Sequence, residues 1–173
     1  KILLDVHDIT ISVERIVDMI RLEGAFKDIF ISIQEAKKSF SSDSLLVIVD
    51  HHSEGQLMSK DLTQMYQRYV IIDHHRKLDD VLKNPMFMYL EPYASSATEM
   101  VVEMMKVFQP SVPLSPFEAT VLLSGIIVDT NNLMYRTSSR TYEAAALLRS
   151  YGADNFKVKN LLRESGDVIQ QKA

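Results

Sequence analysis

With 173 residues the chain can form one domain with a substantial core, and 46% hydrophobic against 24% charged residues is an ordinary globular composition. A net charge of −4 excludes a broad electrostatic surface for duplex nucleic acid, so an anionic substrate needs local help from metal ions or a few arginines. The absence of cysteine excludes disulfides and zinc–thiolate sites and fits a reducing compartment; no apolar run spans a bilayer and no signal peptide is visible, so this stretch is expected to make no direct membrane contact.

The chain opens on "KILLD" (residues 1–5), read as a short buried strand; the absence of an initiator methionine suggests a piece of something longer. "ISVERIVDMIRL" (11–22) places Val13, Ile16, Val17 and Ile20 on one face, the spacing of an amphipathic helix, with Gly24 as its stop. Ser32 and Glu35 form a capping-box pattern before a short helix. "LLVIVD" (45–50) and "YVIID" (69–73) are apolar without alternation, which belongs inside a parallel sheet covered by helices on both faces. "MFMYLE" (86–91) is a fourth strand candidate.

Helices follow. Ser95 or Ser96 caps "ATEMVVEMMKVF", with Ser96 and Glu99 as a capping box. Ser115, Pro116 and Glu118 open a helix running to Asp129 that is apolar nearly all round, hence buried. "RTYEAAALLRSY" (140–151) is a helix stopped by Gly152, and "NFKVKNLLRE" (155–164) is a last amphipathic helix. "QPSVPLSP" (109–116) reads as a surface linker, and there is no internal repeat. Strand–helix alternation predicts an α/β domain with a mainly parallel sheet flanked by helices.

Four of the five histidines stand in two Asp-His-His tripeptides, Asp50-His51-His52 and Asp73-His74-His75, each closing an apolar strand. In parallel sheets ligands bind beyond the carboxyl ends of the strands. Asp50 and Asp73 are therefore expected at one edge, and Asp129 is a third acid at the close of an apolar run. Carboxylate and imidazole together suit divalent Mn²⁺, Mg²⁺ or Fe²⁺, and paired ions of that kind serve phosphate-ester hydrolysis. A lone Asp at a strand end is more often a helix cap, and a lone His a surface residue; two equivalent tripeptides are hard to explain that way. His7 is read as a surface or loop residue, and the nine methionines as core filler.

"VIIDHHR" resembles the signature of the DHH phosphoesterase superfamily, "VIVDHH" its second acidic motif and "SGIIVDT" its fourth. "EPYASSATEMVVEMM" and "RTSSRTYEAAALLRSYGAD" resemble, more narrowly, the GdpP-type (YybT-type) cyclic-di-AMP phosphodiesterases. The resemblance implies a Rossmann-like DHH domain over residues 1–173, N-terminally incomplete, whose parent hydrolyses cyclic di-AMP to pApA with a water activated by two metal ions, Mn²⁺ foremost and Mg²⁺ or Fe²⁺ as alternatives. It implies Asp50, His74 and Asp129 as metal ligands, with Asp50 bridging. Asp73 is the acid that orients a histidine, and His75 stands near the scissile phosphate; these two are the catalytic candidates. Arg136, Arg140, Ser95 and Ser96 are candidates for substrate contact.

The family's first motif, His-x-x-x-Asp-x-Asp, and its second, substrate-binding domain have no counterpart in these residues, so this stretch alone is expected to be inactive or nearly so. The second motif reads Asp-His-His where Asp-Thr-His is expected, which leaves His51 either an extra polar group at the metal edge or a tolerated substitution, and leaves the roles of His51 and His52 open between functional and incidental. The resemblance further implies a homodimeric parent at the cytoplasmic face of a bacterial membrane. Alternatives are an oligoribonucleotide or pAp phosphatase of the same superfamily, or an inactive nucleotide-binding regulatory module.

Overall fold

A computed structural model describes residues 1–4, 9–108 and 114–162. His7, most of the 109–116 linker and the end of the last predicted helix lie outside the described residues. Strand β1 (Ile2–Leu3) runs into α1 (Ile11–Leu22) and returns as β2 (Phe30–Ile31), which pairs parallel with β1. Thr10 caps α1 by accepting from the Val13 amide. The two-residue strand β2 went unseen in the sequence because it is too short to show a period. Helix α2 (Ile33–Lys38) carries the expected Ser32–Glu35 capping box.

A second sheet holds β3 (Leu46–Val49), β4 (Tyr69–Asp73) and β5 (Phe87–Leu90) in that order, all parallel. Helix α3 (Lys60–Met65) lies in the β3–β4 crossover. Among the described residues the strands thus form two parallel sheets rather than one. The central strand β4 is buried as a doubly covered strand should be: Tyr69, Ile71, Ile72 and Asp73 all lie inside. On one face Ile48, Tyr69, Ile71 and Leu82 form a core cluster, and on the other Ile72 packs with Ala94 and Met100. The edge strand β3 departs from the expectation. Val47 and Val49 are 49% and 40% exposed, because β3 pairs only with β4 and α4 covers the sheet at β4.

The remaining chain is helical: α4 (Ala97–Phe108), α5 (Pro116–Asp129), α6 (Ser139–Ser150) and α7 (Asn155–Leu162). Helix α5 packs on the other three, and its residues Ala119, Leu123 and Ile126 centre the largest core cluster. Its start has the expected Ser115–Glu118 box with Pro116 in the first turn. Gly125 faces Thr98 of α4 so closely that a Cβ there would stand 2.3 Å from its hydroxyl. Gly152, at φ 93°, ends α6: its amide donates to the Arg149 carbonyl, and the Ala153 amide reaches back to Leu148.

Helices α4 and α6 are also tied by polar groups. Glu99 is fully buried and accepts from the Thr141 hydroxyl at 2.7 Å and from the Ser95 hydroxyl at 2.6 Å. The expected Ser96–Glu99 box is half formed: Ser96 accepts the Glu99 amide, but the carboxylate turns to Ser95 instead.

Candidate metal centre

Register places the site. Asp50 follows β3 directly, and its amide donates to the Ile72 carbonyl of β4 at 2.9 Å, so the two Asp-His-His stretches leave the sheet side by side. Asp50 takes φ 71°, a left-handed conformation that Asp tolerates better than most residues but that still costs about 1 kcal/mol. The chain turns out of the sheet there, leaving the Asp50 carboxylate about half exposed, with a side-chain exposure of 53%. Asp73 keeps strand geometry and is wholly buried.

His74 is the hub of the cluster. Its Nδ1–H points to the Ala94 carbonyl at 3.4 Å, which directs Nε2 at two carboxylates: Asp50 at 3.1 Å and Asp129 at 3.7 Å. Hydrogen bonding to Asp50 raises the His74 pKa above the ordinary histidine value; burial opposes this, and the Asp50 and Asp129 charges add to it. Burial raises the Asp129 pKa, with the nearby Asp50 charge adding to it and the cations of His74, His75 and Arg136 opposing. Converging carboxylates on one imidazole nitrogen leave negative charge short of a counter-ion, the electrostatic pattern of a cation site.

Asp73 holds two histidines. Its Oδ2 bonds His52 Nδ1, and its Oδ1 accepts the His75 amide at 3.1 Å and His75 Nδ1 at 2.8 Å. Burial would raise its pKa, but these hydrogen bonds outweigh it, so Asp73 stays ionised below the usual carboxylate range. The Leu78 amide donates to His52 Nε2 at 3.0 Å. That nitrogen must therefore be the bare one, and the ring proton sits on Nδ1, facing Asp73. His75 turns its Nδ1–H to the same carboxylate, and the hydrogen bonds described leave its Nε2 open to a ligand. His75 is exposed, and its ring lies 4.5 Å from that of His74.

Ligand atoms of Asp50, His74 and His75 all fall within 4.8 Å of one another, close enough for modest side-chain rotation to set them round one ion. Oxygen and imidazole nitrogen are donors that Mn²⁺, Mg²⁺ and Fe²⁺ accept, so the residues fit the expected cation.

Of the sequence-predicted residues, Asp50, Asp73, His74, His75 and Asp129 converge here. Arg136 stands near them: it lies at the end of a turn in which Asn131, Asn132, Leu133 and Arg136 all have positive φ, and its charge reaches Asp129. The other three substrate-contact candidates have partners within the protein. Ser95 and Ser96 are fully buried and bonded to Glu99, because they build the start of α4 rather than a surface. Arg140 forks onto Glu103 at 2.8 and 2.7 Å, with Glu91 and Glu99 each 3.8 Å away; those hydrogen bonds raise its pKa further and commit it to joining α6 to α4.

His52, whose role the sequence left open, is fully buried and joins Asp73 to the loop after β4. The signal was the equal register of the two strand ends, which places the residue two beyond Asp50 against Asp73. His51 only turns its Nδ1 to the Val49 carbonyl at 3.2 Å.

Residues 5–126 match the DHH family, N-terminal domain. The chain belongs to the DHH family. It is 38% identical over 172 residues, 99% of its length, to the cyclic-di-AMP phosphodiesterase GdpP of Bacillus subtilis, of which it covers 26%. It is 40% identical over 141 residues, 81% of its length, to the cyclic-di-AMP phosphodiesterase PdeA of Listeria monocytogenes, of which it covers 21%. The chain thus spans about a quarter of these relatives. The fold is similar to that of an exopolyphosphatase-related protein from Bacteroides fragilis, with TM-score 0.71, 18% identity, and coverage of 87% of this chain and 46% of that one.

Proposed function

We propose that this DHH domain is the metal-bearing part of a phosphodiesterase that hydrolyses cyclic di-AMP to pApA. The convergence of Asp50, His74 and Asp129 beyond the parallel strands carries the reading. Support also comes from the identity to two proteins named cyclic-di-AMP phosphodiesterases. Asp50, His74 and Asp129 would hold divalent cations, Mn²⁺ foremost, with His75 within reach. Such cations supply Lewis-acid polarisation of a phosphoryl oxygen and a lowered pKa for water.

The chain's own groups do the rest. The Ala94 carbonyl fixes the His74 tautomer, leaving Nε2 as donor to the cation. Asp73 holds the His75 ring through Nδ1, so that the ring, once protonated on Nε2 as well, can give a hydrogen bond or proton to the leaving oxygen. Arg136 brings positive charge to the phosphate side. Among the described residues only one group of three clustered ligands occurs, so the 173 residues alone are expected to hold one tightly bound cation and to hydrolyse little. No described helix is long and apolar enough to cross a membrane. The placement of the whole protein as a homodimer at a cytoplasmic membrane face is part of the same proposal and rests on the family resemblance.

The test is metal-dependent hydrolysis by the full-length protein, comparing cyclic di-AMP, cyclic di-GMP, pApA and pyrophosphate. Preferred release of pApA from cyclic di-AMP supports the reading. Preference for pApA itself would favour the oligoribonucleotide and pAp phosphatase alternative. Metal-independent binding without turnover of any of the four would sink the enzyme reading.

A further inference from the structure

A cleft of about 810 Å³ opens beside the cluster, lined by His75, Arg76, Lys77, Pro92, Tyr93 and Arg136 among others. That is far more room than an inorganic phosphate needs and lies in the range of small-molecule sites. Its charge is opposite to that of the chain as a whole: three cations gather on a protein of net charge −4. Arg76 and Lys77 are exposed and, among the described residues, form no ion pair with a carboxylate.

Tyr93 adds an aromatic surface. The residue is 86% exposed, and single exposed aromatics are common on protein surfaces. What distinguishes it is how it is held. Glu91, Pro92, Tyr93 and Ala94 form a turn closed by the Ala94 amide to the Glu91 carbonyl at 3.0 Å. The Tyr93 amide is fixed by the Glu91 carboxylate at 3.2 Å, and the Glu91 amide is anchored to the Asp73 carbonyl at 3.0 Å. The same turn offers the Ala94 carbonyl to His74. One rigid turn therefore aligns a cluster imidazole and presents a ring to the cleft wall.

We infer that this cleft is a nucleotide half-site, in which Tyr93 stacks on a base and Arg76, Lys77 and Arg136 hold phosphate oxygens. This rests on the proposed function and names the part of the substrate that an inorganic polyphosphate lacks. Base–aromatic stacking is worth about 1–3 kcal/mol per base, which converts to roughly 5- to 150-fold in affinity. Arginine and lysine contacts to phosphate discriminate by charge and not by base.

The full-length protein is titrated calorimetrically with adenosine 5′-monophosphate and with ribose 5-phosphate, as wild type, Tyr93→Ala and Tyr93→Phe. The expected result is a 5- to 150-fold preference for the nucleotide in wild type and Tyr93→Phe, lost in Tyr93→Ala. Arg76→Ala and Lys77→Ala should weaken both ligands alike. Equal affinity of wild type for the two ligands, or a preference that survives Tyr93→Ala, overturns the half-site. Hydrolysis of cyclic di-AMP is scored separately. No turnover with the binding pattern intact sinks the catalytic reading and leaves the half-site standing; turnover without a base preference sinks the half-site alone.

Discussion

The two Asp-His-His stretches end neighbouring parallel strands, yet they turn opposite groups outward. Asp50 is exposed while His52 is fully buried; Asp73 is fully buried while His75 is exposed. The first stretch offers its carboxylate to the cluster and keeps an imidazole inside. The second offers imidazoles and keeps its carboxylate inside. The difference starts at one backbone angle, since Asp50 leaves the sheet at φ 71° and Asp73 does not leave it. The two inner groups then bond each other, His52 to Asp73, so each stretch supports the other. Identical tripeptides at one sheet edge are thus complementary parts of one site rather than two copies of a motif.

That comparison can be broken at the outward groups first. Asp50→Asn in the full-length protein should lower the hydrolysis rate on the order of 100- to 1,000-fold, in line with losing a dominant electrostatic contact, and should weaken Mn²⁺ binding measured by calorimetry. A variant with unchanged metal affinity would remove Asp50 from the cluster.

The inner pair comes next. Asp73→Ala leaves the buried His52 Nδ1–H without its acceptor and should cost about 1–3 kcal/mol, the usual penalty for a buried donor left unsatisfied. His52→Ala should reduce metal affinity or activity by about 10- to 100-fold, as outer-shell losses do. Thermal melts distinguish stability from activity. If His52→Ala is silent in both, the inner bond does not matter.

The hub should show a pH dependence. The His74 pKa is raised from 6.5, chiefly by its hydrogen bond to Asp50. A cation needs the bare nitrogen and competes with that proton. Metal affinity should therefore fall as pH drops, beginning at a higher pH than for an unperturbed histidine. In the metal-free chain the sign reverses for stability: the raised pKa stabilises the fold below pH 6.5, and that contribution is lost as pH rises through the folded-state value. Metal titrations at several pH values with flat affinity would contradict this.

The smallest effect is expected at His51, whose ring only meets the Val49 carbonyl. His51→Ala should change stability by less than about 0.5 kcal/mol and leave metal binding as it was. A large loss would mean that the first stretch uses both its histidines, and the contrast between the stretches would need redrawing.

Much of this site could be read in advance because its residues punctuate apolar strands. Asp50, Asp73 and His74 stand at the ends of apolar runs that read as parallel strands, and such strands deliver the residues at their carboxyl ends to one edge. Asp129 was legible as the end of a helix apolar on every side. His52 was not, because a buried histidine and a surface histidine look alike until its partners are known. The partners of Arg140 and the Ser95–Ser96 pair were not legible for the converse reason: polar residues beside a motif suggest a ligand, and only the structure shows Glu99 and Glu103 bonded to them.

By itself the sequence determined the longer strands and helices in their order, though not β2 or α3, the parallel class of the strands and the acids and histidines that gather at their ends, because these follow from local periodicity, capping and strand ends. It also determined membership in the DHH family, through motifs that survive as contiguous residues. Only the tertiary structure decided which imidazoles face inward, that the Ala94 carbonyl sets the His74 tautomer, and that Tyr93, Arg76 and Arg136 share a cleft with His75. Those outcomes depend on strand register, on one left-handed residue and on a turn anchored to the next strand, which are contacts between segments that no local window of sequence contains.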